Sequence, residues 1–573
     1  MNTVEHDDRI VLPQWFPARR AAAMREALTF EGKARVVDYE PSLGVFNDLF
    51  AEFQINPAPF AASDLMGVAV VLGKSDEARS LAEYVISQPI TGSAAQAQAH
   101  TILGNIGSVV ESDEKKLIRA TKQRVTTFPR DAFAWIDQAR LYTILGQLDK
   151  AKRAVLVALH LAPSDRIIVR SAIRFFVHFD QWEEALYYAS NAYRLNSDPF
   201  ILGPLLSVGT HLEKLPIRLR TTANTALNAS DPFLYSEVLA AIGTFELLNG
   251  ADKRSRKFFK KAWKDPAKAV VSQSQWVLRE HLPNLAREQR IDFFQSPEAM
   301  SWLRLAVLDF KGALFRAHEW VLEEPYSRSA HVHTSNTATL VDDYNTAEAA
   351  AERGLRANPG DLILINNKTF AQLRNGQTAE AAVTFAPLLS SLDDPTKIAE
   401  MATYGLLLMS QGNVVEGTDC YEEAIRRANE KGDAGTALRG ALNLLISTVD
   451  VCKSIDPELL KLVARRLRET SSPGCLGTAM SLSRHLSKAP LGDTPEIQEA
   501  TRKFTSALKE GQVKLLESVF AHSVQEATKS PITEASEVSI ATDETLTPRE
   551  SEADLPPTEE AAELRVTKQT IPN

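Results

Sequence analysis

The chain has 573 residues, of which 44% are apolar and 24% charged, with a formal charge of −9 at pH 7. That is the composition of a folded protein, yet the length exceeds what one compact core normally serves. Three cysteines with no CxxC spacing argue against a disulfide or zinc framework. No apolar run approaches the roughly 18 residues that a membrane span requires.

Residues 1–57 read as an N-terminal capping segment. The first twelve hold Glu5, Asp7 and Asp8 and lack the apolar core of a secretory signal, so a cytoplasmic location is expected. Pro17 opens a predicted helix through Leu28, with Ala21, Met24, Ala27 and Leu28 on one face. Trp15 and Phe16 stand just before it and are expected to cap the exposed end of the first helical pair.

Helical pairs are predicted from about residue 59. The first, 59–92, carries Gly73 and Ala78 in its turn and second helix, and a degenerate pair, 98–131, closes at Pro129. The clearest pattern follows in 132–165 and 166–199. Trp135, Ala139 and Tyr142 fall at i, i+4 and i+7, and so share one face of a first helix. Gly146 ends that helix, and Ala151, Val155 and Ala158 repeat the spacing on a second one, which Pro163 stops. Stepping 34 residues from Trp135, Tyr142, Ala151 and Ala158 lands on Val169, Phe176, Ala185 and Ala192. Bulky residues return as bulky ones, and alanines as alanines.

This 34-residue helix–turn–helix unit resembles the tetratricopeptide repeat. A weak unit spans 200–235. The pattern is restored in 236–267, with Leu239, Gly243, Gly250, Phe259 and Ala262, and the array is taken as 58–267. An interrupting helix is expected at 268–293, around Trp276 and Leu278. A second array, 294–431, then shows Ala313, Ala347 and Ala381 at 34-residue steps, as it does Pro325 and Pro359. Its last unit holds Gly405, Gly412, Gly417, Tyr421 and Ala424. Residues 432–528 are further helical pairs or a C-terminal cap. The expectation is an all-α solenoid in which each pair touches only its neighbours, leaving a long inner surface free.

Residues 529–573 are rich in Ser, Thr, Pro and Glu and are expected to be disordered, since so little apolar area cannot offset the entropy of ordering. Ten carboxylates between Glu534 and Glu563 stand against Arg549, Arg565 and Lys568, so that 530–573 carry −7 of the total charge. Such a tail is suited to fold back on a basic groove of the same chain.

Catalytic patterns are missing. The sequence has no GxxxxGK[ST], GxGxxG, HExxH or GxSxG, and a non-enzymatic protein without a cofactor is expected. His331 and His333, with His318 and the pair Asp342–Asp343 nearby, come closest to a metal cluster. Residues two apart on a helix point to different sides, however, so solvated or packed histidines are expected and no metal site. The doubled carboxylates Glu183–Glu184, Asp342–Asp343 and Glu422–Glu423 read as turn or helix-start residues, favoured there by the helix dipole.

Binding is better supported. The resemblance implies that first helices line a concave face, and that in the unit 166–199 Ile167, Arg170, Arg174, Val177 and His178 point into it. Arg170, Arg174 and His178 form one stripe at four-residue spacing, and Arg140 holds the matching position one unit earlier. Such a set suits bidentate capture of carboxylates, so a scaffold or adaptor for a protein or peptide, in particular an acidic one, is expected. The lysine and asparagine of the carboxylate clamp found in some relatives are absent from these positions. The alternative is a nucleic-acid-associated repeat protein using Lys253, Arg254, Arg256, Lys257, Lys260, Lys261 and Lys264, which are interleaved with Phe258, Phe259 and Trp263.

Overall fold

Most first helices start with a side chain that accepts the hydrogen bond their opening turn would otherwise lack. Asp131, Asp165, Asp231 and Asp361 accept from the N–H three residues on, at 2.9–3.1 Å, and Ser327 does the same at 3.3 Å. The turn inside each pair has its own recurring device. Gly146 and Asp180, and in the second array Leu308, Asp342 and Gly376, all take left-handed backbone with φ between 57° and 77°. Within each group they stand 34 residues apart. Such a residue breaks the first helix and frees the chain to reverse.

In the computed structural model, residues 10–18 and 43–524 are described, apart from breaks within 56–74, 89–98, 101–113, 193–196, 215–218, 283–295 and 490–493. The acidic segment 529–573, the helix expected beyond Ala18, and Gly73 lie outside the described residues.

Helices α1 (Leu43–Ile55), α2 (Ser75–Ser87) and α3 (Glu114–Thr127) lead in. Then come α4 (Ala132–Ile144) with α5 (Leu148–Leu161), and α6 (Arg166–His178) with α7 (Trp182–Asn191). Helix α8 (Pro199–His211) follows with α9 (Leu219–Asn228), then α10 (Pro232–Leu248) with α11 (Asp252–Ala262). Helix α12 (Lys268–Glu280) precedes α13 (Pro297–Ala306) with α14 (Phe310–Glu323), and α15 (Arg328–Leu340) with α16 (Tyr344–Ala357). The second array ends with α17 (Leu362–Arg374) and α18 (Thr378–Phe385), then α19 (Ile398–Ser410) and α20 (Val414–Glu430). Helices α21 (Ala434–Ser447), α22 (Pro457–Leu467), α23 (Pro473–Lys488) and α24 (Pro495–Val524) follow, and no strand occurs among the described residues.

The pairs close on the small residues that the pattern marks. Ala151, Val155, Ala158, Ala185, Ala313, Ala347 and Ala381 are fully buried. Successive first helices also pack on one another, α4 on α6, α6 on α8, α15 on α17 and α17 on α19, which sets them on the inner side of the curve. Arginines stitch units together: Arg166 Nε donates at 2.7 Å to Asp198, the cap of the next first helix, and Arg328 donates likewise to Asp361. The chain is an all-α solenoid of tetratricopeptide type.

The expectation that only adjacent pairs touch does not hold. The curve brings later units back onto earlier ones. Arg140 on α4 donates at 3.1 Å to the Glu323 carbonyl, which is 183 residues away. Helix α23 turns back against α13 and α15, where Arg484 Nε donates to Asp342 Oδ2 at 2.5 Å. Trp15 and Phe16 do not cap the end of the array either. They are buried between its two halves, because that is where an uncovered apolar inner face receives two aromatic rings.

Candidate functional site

The inner face of α4 and α6 is the site that the sequence singled out, and it holds an extended stretch of the chain itself. Ile10–Pro17 has no helix or strand. Pro13 and Pro17 restrict the residues before them to extended backbone, so this conformation is partly built in. Trp15 is fully buried, with its ring 6.1 Å from Phe175 edge to face and 5.6 Å from Tyr326. Phe16 lies under the Lys268 ammonium at 5.7 Å. Past Pro17, Ala18 N donates to Asp137 Oδ1 at 2.5 Å. Tyr326, contributed by the second array, is also fully buried, and its phenol is pushed above the usual range by burial first and by Glu324 second.

All four residues of the predicted basic stripe are on this face, and each already has partners within the chain. Arg140 Nε donates to the Trp15 carbonyl at 2.8 Å, and its guanidinium lies 5.9 Å from the Tyr326 ring centre. Arg170 makes a fork to Glu237 at 2.7 and 2.8 Å and donates to the Phe200 carbonyl at 2.6 Å. Glu237 is 1% exposed, so the pair is desolvated and needs its geometry intact. Arg174 is 5% exposed and sits over Tyr326 at 5.5 Å. Burial, with Arg174 next in effect, lowers His178 to about 3. It is therefore neutral near pH 7 and packs as a ring against Phe179 and Tyr326 rather than acting as a cation. The face thus stands as an occupied groove, with two of its arginines bonded to backbone carbonyls and one of these forked to a buried carboxylate.

A half-open cavity of about 60 Å³ remains between Ile10, Leu12 and Gln14 on the segment and Arg174, Gln273 and Glu324 on the wall. That is room for a few waters and far too little for a metabolite.

The alternative basic stretch is helix α11. Lys253, Arg254, Lys257 and Lys264 are exposed, while Arg256, Lys260 and Lys261 are half-buried. Lys261 donates to the Ala229 carbonyl at 3.1 Å, and Arg254 pairs loosely with Glu246. Phe258, Phe259 and Trp263 are 6%, 0% and 1% exposed, so the rings face the core and are not available for base stacking.

The histidines are packed. His331 is lowered to about 4 by burial, and its Nε2 is 3.0 Å from the Pro325 carbonyl. His333 Nε2 is 2.7 Å from Ser301 Oγ, with its ring against Trp302. Burial lowers His318 as well, with Arg353 next in effect. No group of metal-ligating residues occurs among the described residues. Of the doubled carboxylates, Glu183–Glu184 lie in the first turn of α7, and Asp343 caps α16. Glu422–Glu423 fall inside α20 instead, where Glu423 pairs with Arg426 and Arg427 at 2.7 Å, an intrahelical charge ladder.

Sequence reasoning passed over Glu237, Tyr326 and the groove role of Trp15. It also missed a second polar contact between distant helices. There Asp342 takes bonds from Ser481 and Arg484, while Asp450 holds His485 Nδ1 at 2.6 Å and Arg374 at 3.1 Å. None of these pairings has a local signature, because the partners come from different helical units.

The fold and this inner face define a helix-pair repeat array of the kind that the tetratricopeptide resemblance implies. No protein-family profile and no curated protein matches the sequence. Among solved structures, it is similar to yeast Tom70 at 13% identity over 82% of this chain and 97% of that one, with a TM-score of 0.26. It is similar as well to the APC/C hetero-tetramer Cut9–Hcn1 at 12% identity over 85% of this chain and 98% of that one, with a TM-score of 0.30.

Proposed function

We propose that the protein is a non-enzymatic scaffold that holds an extended segment of a partner protein on the inner face of α4 and α6. One observation carries this reading: residues 10–17 already lie there in extended form, with Arg140 donating to a backbone carbonyl as it would to any extended peptide. A cytoplasmic setting accompanies it, in keeping with three unpaired thiols, and no described helix is long and apolar enough to cross a membrane. A partner recovered with the wild-type chain should be lost with Arg140→Ala and kept with Lys257→Ala, a substitution on the exposed face of α11. The opposite pattern would refute the assignment.

The second reading, nucleic-acid association through α11, retains its charge but lacks stacking rings. It predicts affinity for mixed RNA and DNA that falls steeply as salt is added. No binding at low salt would remove it.

A further inference from the structure

We infer that residues 10–17 are an exchangeable internal ligand, and that the external ligand of this face is an extended peptide with two adjacent aromatics beside a proline, not an acidic one. This rests on the scaffold reading above. The wall specifies the chemistry. Phe175 and Tyr326 receive an indole, and the Lys268 ammonium covers a second ring. Arg140 donates to two backbone carbonyls, those of Trp15 and Glu323. Both free arms of the Arg170 fork are committed to Glu237, and His178 is uncharged near pH 7, so little on the face remains for an acidic side chain.

Exchange is indicated by how the segment is held. It belongs to no helix, and it leaves a half-open cavity between itself and Gln273 and Glu324. The Trp15 indole N–H is buried with no acceptor among the described residues. Anything with the same rings and an extended backbone competes with the chain's own copy, whose advantage is its effective concentration.

The test uses the full chain in two forms, wild type and Trp15→Ala/Phe16→Ala, with folding checked by circular dichroism. Phe16→Ala alone replaces the double variant if that variant does not fold. Two labelled peptides serve as probes: the sequence of residues 8–18, and the acidic sequence of residues 549–563. The inference expects the aromatic peptide to bind the variant at least tenfold more tightly than it binds the wild type, with the acidic peptide binding neither. Equal aromatic binding to both forms would overturn exchange while leaving the groove as a peptide site. Preferred binding of the acidic peptide would overturn the ligand chemistry but not the scaffold reading. Binding of neither peptide to a folded variant would overturn both.

Discussion

Arg170 was visible in the sequence as one member of a stripe, but its partner was not. Glu237 stands 67 residues away on a helix two units on, and only the curvature of the array brings the two together. Because the pair is buried, removing one member is costlier than removing both. Glu237→Ala should lose about 3–5 kcal/mol of stability, and Arg170→Met with Glu237→Leu should recover most of it, as read from thermal unfolding midpoints. A loss below about 1 kcal/mol for the single change would mean that the pair is solvated. His178 supplies a pH dependence of definite sign. Its native value is about 3 against 6.5 unfolded, so between these the unfolded chain binds a proton that the native chain does not. Stability therefore falls as pH drops below 6.5, by up to about 1.4 kcal/mol per unit, and the contribution is flat above it. His178→Phe should flatten that part of the stability profile between pH 6 and 4. Identical wild-type and variant slopes there would show the imidazole charged in the folded state.

Elements were legible to the extent that their causes are local. The 34-residue step, the alanines at helix crossings and the stop at Gly146 all come from short-range packing and backbone geometry. Where Asp180, Leu308 and Asp342 occupy the same left-handed position, the geometry persists while the glycine signal disappears, and the units look worn. The recurring Asp and Ser caps were a local signal that apolar periodicity overlooks. Contacts between turns of the superhelix had no such signal, and Gly146 measures one of them. A Cβ there would strike the Arg356 carbonyl and lie 2.8 Å from Pro359 in the other array, whereas at Gly360, also left-handed, nothing lies within 4 Å. Gly360→Ala should cost only the backbone strain, roughly 1 kcal/mol. Gly146→Ala should cost clearly more, seen as a larger fall in melting midpoint. Equal falls would show that the two arrays do not press together at that turn.

At the scale of the whole molecule, the two arrays behave as one body rather than as an open spring. Tyr326 and the Glu323 carbonyl of the second array, Arg140, Arg174 and Phe175 of the first, and Trp15 from the N-terminal segment meet at a single junction. A linear solenoid loses order only next to a damaged unit. Here, damage at Trp15 should be felt by units far apart in sequence. The most direct measurement is backbone hydrogen exchange on the intact wild-type chain and on Trp15→Ala. Faster exchange in α4, in α6 and across residues 323–331, with α22–α24 unchanged, is the predicted result. Exchange unaltered in both arrays would contradict the claim that the chain's own N-terminal segment fills the inner face and joins them.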